Sequence, residues 1–295
     1  MVGFLMPQSD GRMLQWGPVI EGSVAAWRLA HPAARIANLA GRQDISDADL
    51  HSLKGVLALC LAGCSQAPLT DAALAVCGPG LRALDVSGCE QLSSAALQHC
   101  SSALRELCCA YCSGLGDAAF ASLKGLRALD ASFCAQPELG NTALAHVGDT
   151  LQWLCLEGCT QSSLSGTYFS YLPRLQHLSF SLQERAPSAF CDAHFARFEG
   201  GPLRSLCMWN AQAAGSRCIT DAAFRGGLAG LHTLELSFRA GGGGGGGGGS
   251  SSGLAVTRAA FAAQKGRLRR LFMSGSVPEV LKDAARAAGL EVRGK

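Results

Sequence analysis

A curved, right-handed α/β solenoid, with a concave parallel β-sheet and convex helices, is the fold class this sequence predicts, and three observations predict it. The first is a nine-residue frame, apolar at positions one, four and six and closed by Cys at position nine. It reads LQWLCLEGC from Leu151, LRALDVSGC from Leu81, LRELCCAYC from Leu104, LRALDASFC from Leu126 and VLALCLAGC from Val56. The second is a turn after the frame: an apolar residue, a Ser or Thr, an Asp and then a helical stretch, as in Ile45-Ser46-Asp47, Leu69-Thr70-Asp71 and Ile219-Thr220-Asp221. The third is the period. Frames begin at residues 36, 56, 81, 104, 126, 151, 175, 203, 231 and 268, about nine or ten repeats in all, at the spacing of a leucine-rich repeat. One such unit cannot bury its own apolar face, so each stacks on its neighbours.

Residues 1–35 read as an N-terminal segment and cap. Residues 1–22 are punctuated by Gly and Pro without a strong period, and SVAAWRLA from Ser23 predicts a short helix stopped at His31 and Pro32, capping the open end of the first repeat. Residues 36–275 form the solenoid. Ile36 and Leu39 take positions one and four of a degenerate first frame, with Asp44 at position nine. In every frame positions one, four and six point inward, while two, three, five, seven and eight lie on the concave sheet face, where a partner is read between the leucines. The residue at nine packs inside the turn, within reach of the neighbouring backbone. The Ser or Thr caps each helix and the Asp favours its positive end. Softer versions are Leu92-Ser93-Ser94, Leu115-Gly116-Asp117 and Leu139-Gly140-Asn141. LQHLSF from Leu175, LRSLCM from Leu203, LHTLEL from Leu231 and LRRLFM from Leu268 continue the frame.

The last intervals hold insertions. The largest is the Gly-rich stretch 240–253, with nine consecutive glycines from Gly241 to Gly249. Without the Lys and Ser or Thr of a phosphate-binding loop it reads as a flexible linker. GLAVTRAAFAAQ then resumes the helix of the same repeat, and residues 276–295, with a helix over 280–288 and a short strand, close the other end.

A net charge of +3 with no basic block does not imply nucleic acid, and Asp85, Asp130 and Glu235 at position five leave the sheet face mixed in sign. Most of the 14 cysteines fall on repeat positions that suit a buried thiol, which reads as a reducing compartment. The first segment turns polar by residue 8 and no apolar run is long enough to span a membrane, so a soluble, cytoplasmic protein is expected.

The frame, the apolar-Thr-Asp turn and a helix ending near Cys together resemble the cysteine-containing leucine-rich repeat of F-box proteins. Cys77 and Cys100 match that family's helix-end cysteine, and Cys64, Cys89, Cys112, Cys134 and Cys159 its turn cysteine. The resemblance implies a non-catalytic protein-interaction scaffold, most concretely a substrate-recognition subunit of an SCF-like ubiquitin ligase with Skp and cullin partners. Other proteins with these repeats are structural parts of large assemblies such as the nexin-dynein regulatory complex of the ciliary axoneme, which would place the chain on the cytoskeleton or in a cilium. An F-box is not legible before the repeats, although Trp27-Arg28 resembles its end.

The residues that carry chemistry elsewhere read here as packing. Cys108, Cys109 and Cys112 form CCxxC, but Cys109 is at position six and Cys112 at nine, so no zinc or redox site is expected and no cofactor is implied. Cys108, Cys155 and Cys207 at position five are the thiols expected to be accessible. Of the seven histidines only His177, at position three, falls on the sheet face, near Trp153, and no orienting residue makes it catalytic. The sheet face is the candidate partner site: Tyr111, Phe133 and Phe238 at position eight, Trp209 and Glu157 at seven, Trp153 and His177 at three, Asp130 at five, and Arg105 and Arg127 from the basic row at two. Exposed aromatics of this kind are hot-spot material. The competing reading packs them on one another, and leaves the arginines on a solvated edge.

Overall fold

The computed structural model describes residues 6–7, 13–100, 102–182, 190–211, 219–238, 256–264, 266–290 and 292–293, and the Gly241–Gly249 run lies outside them. The chain divides into two compact units, Met1–Leu156 and Glu157–Lys295. In the first, β1 (Met6–Pro7) and β2 (Met13–Leu14) pair antiparallel. A helix over Val24–Ala30 comes next, with the Ser23 side chain accepting from Ala26 N–H at its start. Its Arg28 donates to the carbonyls of Ala34 at 2.8 Å and Lys54 at 2.9 Å, which fastens the cap to the first repeats.

Six strands then form a parallel sheet in chain order: β3 (Ile36–Asn38), β4 (Ala58–Cys60), β5 (Ala83–Asp85), β6 (Glu106–Cys108), β7 (Ala128–Asp130) and β8 (Trp153–Leu156). Position four is in register across them, Ala37 beside Leu59, then Leu84, Leu107, Leu129 and Leu154, all buried. The second unit repeats this with β9 (His177–Ser181), β10 (Ser205–Trp209), β11 (Thr233–Ser237), β12 (Arg270–Ser274) and β13 (Val292–Arg293), where Leu178, Leu206, Leu234 and Leu271 align. Burial of that leucine ladder and of the residues at one and six is what each repeat gains from the next.

The register corrects the first frame. Ile36 pairs with Ala58 and Ala37 with Leu59, so Ile36 is at position three rather than one, Leu39 at six rather than four, and Arg42 rather than Asp44 at nine. Ile36 is accordingly exposed and Leu39 buried. The deciding residue is Gly41, whose positive φ of 75° matches the position-eight glycines of later repeats.

Two side-chain ladders tie the first-unit repeats together. The ninth-position thiols of Cys64, Cys89, Cys112 and Cys134 each donate at 3.1 Å to the position-six carbonyl of the preceding strand, respectively Leu39, Leu61, Val86 and Cys109. On the helical side the turn aspartates reach forward rather than only into their own helices. Asp47 accepts from Thr70 N–H at 2.7 Å and its hydroxyl at 2.6 Å, and Asp71 does the same with Ser93 at 2.7 and 2.5 Å. The second unit shows the same pairing, Asp192 with Thr220 at 2.8 and 2.6 Å and Asp221 with Thr257.

The expected capped helices are short. Ser46 precedes the helix Asp47–His51, Ser93 precedes Ser94–Gln98, Thr220 precedes Asp221–Arg225 and Thr257 precedes Arg258–Ala263, while Asp117–Phe120 winds as a single 3-10 turn. The final helix, Glu279–Ala287, and β13 close the second unit as expected.

Candidate partner-binding site

Position eight is where the chain turns out of the strand, and in most of the described repeats its backbone is left-handed. Gly63, Gly88 and Gly158 take it with φ of 72°, 70° and 72°. Tyr111 and Phe133 take it too, at 60° and 59°, although an L side chain there costs about 1–2 kcal/mol. Both rings are open to solvent, 48% and 41% exposed, and they stack on each other with centroids 4.6 Å apart and planes 7° from parallel. Two adjacent repeats therefore hold an aromatic plate at positions where glycine is the low-energy choice. Phe238 breaks the expectation. It is not in the left-handed region, and without that turn its ring stays inside, 3% exposed; Phe238 is thus removed from the open face.

Position five of the first unit reads Cys60, Asp85, Cys108, Asp130, Cys155 down successive strands. The structure turns this alternation into a network. Ser87 donates to Asp85 at 2.6 Å and lies 2.8 Å from the Cys108 sulfur; Ser132 donates to Asp130 at 2.5 Å and lies 3.0 Å from the Cys155 sulfur. Burial holds the carboxyl groups of Asp85 and Asp130 above the usual carboxylate range, and burial likewise pushes the Cys108 thiol up, with both aspartates adding to it. The expectation of accessible thiols at position five fails: Cys108, Cys155 and Cys207 are all buried. In the first unit the physical reason is that these small side chains satisfy one another through Ser87 and Ser132, and that Trp16 packs over Cys108 and Ala110.

The remaining candidates divide. Arg127 is exposed, whereas Arg105 is half-buried and donates to the carbonyls of Ser102 at 2.5 Å and Gly125 at 3.2 Å, closing the strand-entry turn of the next repeat. Arg204 donates to the carbonyls of Gly201 and Leu203 in its own strand-entry turn, each at 3.0 Å, so the row at position two is in part structural. Asp130 and Trp153 are half-buried in the first unit. In the second, Glu157, His177 and Trp209 are half-buried, the indole N–H of Trp209 donates to Ser179 at 3.0 Å, and desolvation lowers the His177 pKa to about 4, so its ring is neutral near pH 7.

Sequence reasoning missed Trp16, Ser87 and Ser132. The serines had a signal, since Ser comes two residues after Asp in both LRALD frames. Trp16 had none, because it lies in a stretch without period. A half-buried thiol, Cys191, lies 3.4 Å from Nδ1 of His194, but that nitrogen also takes the Cys191 N–H at 3.2 Å as the cap of the helix Asp192–Phe195. Among the described residues no cluster of His, Cys, Asp and Glu could hold a metal, and no helix is long and apolar enough to cross a membrane.

No known family profile matches the sequence, and no curated protein is similar to it. Solved structures are similar in fold. An internalin from Listeria monocytogenes matches over 100% of this chain and 78% of its own, with a TM-score of 0.57 at 15% identity. TLR13, in its complex with ssRNA13, matches over 82% of this chain and only 33% of its own, with a TM-score of 0.53 at 17% identity. Rad7, in its complex with Elc1 in yeast, matches over 86% of this chain and 73% of its own at 16% identity, with a TM-score of 0.48. Identities this low speak to fold alone, and the first two carry it: with the strand register, they give the chain an α/β leucine-rich-repeat solenoid fold.

Proposed function

We propose that the chain is a non-catalytic protein-binding scaffold whose partner is recognised at the stacked rings of Tyr111 and Phe133. The supporting observation is that two adjacent repeats bear exposed aromatic side chains on strained, left-handed backbone. Strain of that kind persists where the side chain is needed, and stacked aromatic plates on a rigid sheet edge are the material of interface hot spots. Rigid strands on both sides hold the pair in place, so binding loses little side-chain entropy.

In its most concrete form the scaffold is a cytoplasmic substrate-recognition subunit of an SCF-like ubiquitin ligase, with Skp and cullin subunits as further partners. The cysteine-containing repeat subtype supports this reading, since its ninth-position thiols and turn aspartates form the inter-repeat ladders. A second reading, a structural subunit of a large assembly such as the ciliary axoneme, is favoured by the cap. Arg28 is engaged with the first repeats and Trp27 stacks on His31 with ring centroids 5.2 Å apart, which supports a cap built into the solenoid.

Mass spectrometry of what co-purifies with the tagged chain at native levels separates the two. Skp and cullin subunits in near-equal amount support the ligase subunit; axonemal proteins without them support the architectural one. Partners captured equally by the Tyr111→Ala variant would move the site away from the aromatic pair.

A further inference from the structure

In the second unit, arginines from three successive repeats border one strand-entry turn, Ala229–Gly230. Arg204 comes from the repeat before it and Arg267 from the repeat after it. Nη1 of Arg267 donates to the Ala229 carbonyl at 3.1 Å, and a Cβ on Gly230 would lie 3.3 Å from Nη1 of Arg204. Arg225, the last residue of the helix Asp221–Arg225, lines the same cavity, whose volume is about 730 Å³. All three side chains are exposed. Glu199 is the one carboxylate in the lining, and among the described residues it forms no ion pair with any of them.

Two of these charges are held in place without being neutralised. Arg204 uses Nη1 on the carbonyls of Gly201 and Leu203, and Arg267 uses its own on Ala229. Nε and Nη2 of both residues, and the whole guanidinium of Arg225, have no hydrogen-bond partner among the described residues. The Nε–Nη2 edge is a fork that a carboxylate takes with two parallel hydrogen bonds. Anchoring at Nη1 orients that edge in advance, so a ligand loses less side-chain entropy on binding. Gly200 and Gly226 add no side chain to the walls, and a Cβ on Gly200 would meet nothing within 4 Å, which leaves room for a peptide main chain.

We propose that this cavity docks an acidic segment of a protein partner, an extended run whose carboxylates take the Nε–Nη2 edges of Arg204 and Arg267 and the guanidinium of Arg225. A strand spacing of about 4.8 Å spreads the backbones of Arg204 and Arg267 over about 10 Å, a span that suits carboxylates strung along a chain better than one compact phosphate. The proposal goes beyond the reading at Tyr111 and Phe133 and does not rest on it, because the cavity is lined by the second unit alone and its ligand is independent of the ring pair.

Fluorescence anisotropy of a rhodamine-labelled peptide of alternating Glu and Ser, titrated with the full chain, tests it. A Gln-Ser peptide is the uncharged control, a single-stranded DNA oligonucleotide is the competing polyanion, and circular dichroism confirms that each variant is folded. The acidic peptide should bind and the Gln-Ser peptide should not. Arg225→Gln removes a guanidinium that holds no other part of the chain and should weaken the acidic peptide by about tenfold, the loss of one charge-assisted pair. Arg204→Lys keeps the charge, loses the fork and should weaken it by about fivefold. Glu199→Gln removes the opposing carboxylate and should tighten binding, while Tyr111→Ala should leave it unchanged. The Gln-Ser peptide bound as tightly as the acidic one, the oligonucleotide bound more tightly than either, or full affinity in folded Arg225→Gln would each overturn the proposal. Loss of the peptide in Tyr111→Ala would place it at the ring pair and overturn it too. Should Arg225→Gln fail to fold, a Glu199→Gln affinity no higher than wild type would do the same.

Discussion

Tyr111 and Phe133 show how a single backbone angle turns a side chain out to solvent. At φ near 60° each stores strain that a glycine would not. Tyr111→Gly relieves that strain but loses a stacking contact of comparable size, so its unfolding free energy should stay within about 1 kcal/mol of wild type. Partner affinity should nevertheless fall by more than about 1 kcal/mol, and calorimetric binding beside urea denaturation distinguishes the two quantities. Asp85 carries the second residue-level prediction. Burial raises its folded-state pKa above the ordinary carboxylate value, so between the two values the folded chain holds a proton the unfolded chain has lost. Its contribution to stability is therefore full in acid and declines as pH rises through that window. Asp85→Asn keeps an oxygen for Ser87 and removes the titration. Its urea midpoint should fall less than that of wild type between about pH 4 and about pH 8; parallel pH profiles would mean that Asp85 titrates as it does in the unfolded chain.

A single repeat is held by a leucine in the sheet and an aspartate behind it. Leu154 is fully buried in register with Leu129. Leu154→Asp puts an unpaired charge into that ladder, a burial costing several kcal/mol, and should abolish hydrogen-exchange protection in β7 and β8. Asp47 is milder. Its carboxylate accepts both the N–H and the hydroxyl of Thr70, so Asp47→Ala should cost about 1–3 kcal/mol by thermal or urea unfolding. A loss no larger than that of an exposed surface change would show that the forward reach of these aspartates adds nothing to stacking. The turn motif was legible in the sequence as a helix cap. Its inter-repeat role was not, because a cap is set by neighbours within one turn of chain whereas Thr70 lies a full repeat away.

For the molecule as a whole, electrostatics sets what kind of partner fits. Part of the arginine row at position two is committed to backbone carbonyls, Arg105 to Ser102 and Gly125 and Arg204 to Gly201 and Leu203, and the chain's net charge is only +3. Binding led by an aromatic plate should therefore respond weakly to salt. Raising the salt from about 0.05 M to about 0.2 M should change partner affinity by less than tenfold, whereas a nucleic-acid partner gripped by many phosphate contacts would lose about a thousandfold or more. Titration of the captured partner at the two salt concentrations decides it.

The repeat frame determined the solenoid by itself, because leucine at one, four and six can be buried only by stacking on another copy, and the Cys and Asp positions of each unit obey the same period. Contacts outside the period were decided by tertiary structure alone. Ile36 and Leu39 both look like frame leucines, and only pairing with β4 shows that the true frame is shifted. Tyr111 and Phe238 occupy the same frame position, yet one ring faces solvent and the other is buried, since the sign of φ at a turn is set by the surrounding chain and not by the residue type. Cys108 lies on a face that the frame leaves open, and it is covered because Trp16, in a stretch with no period to read, packs against it.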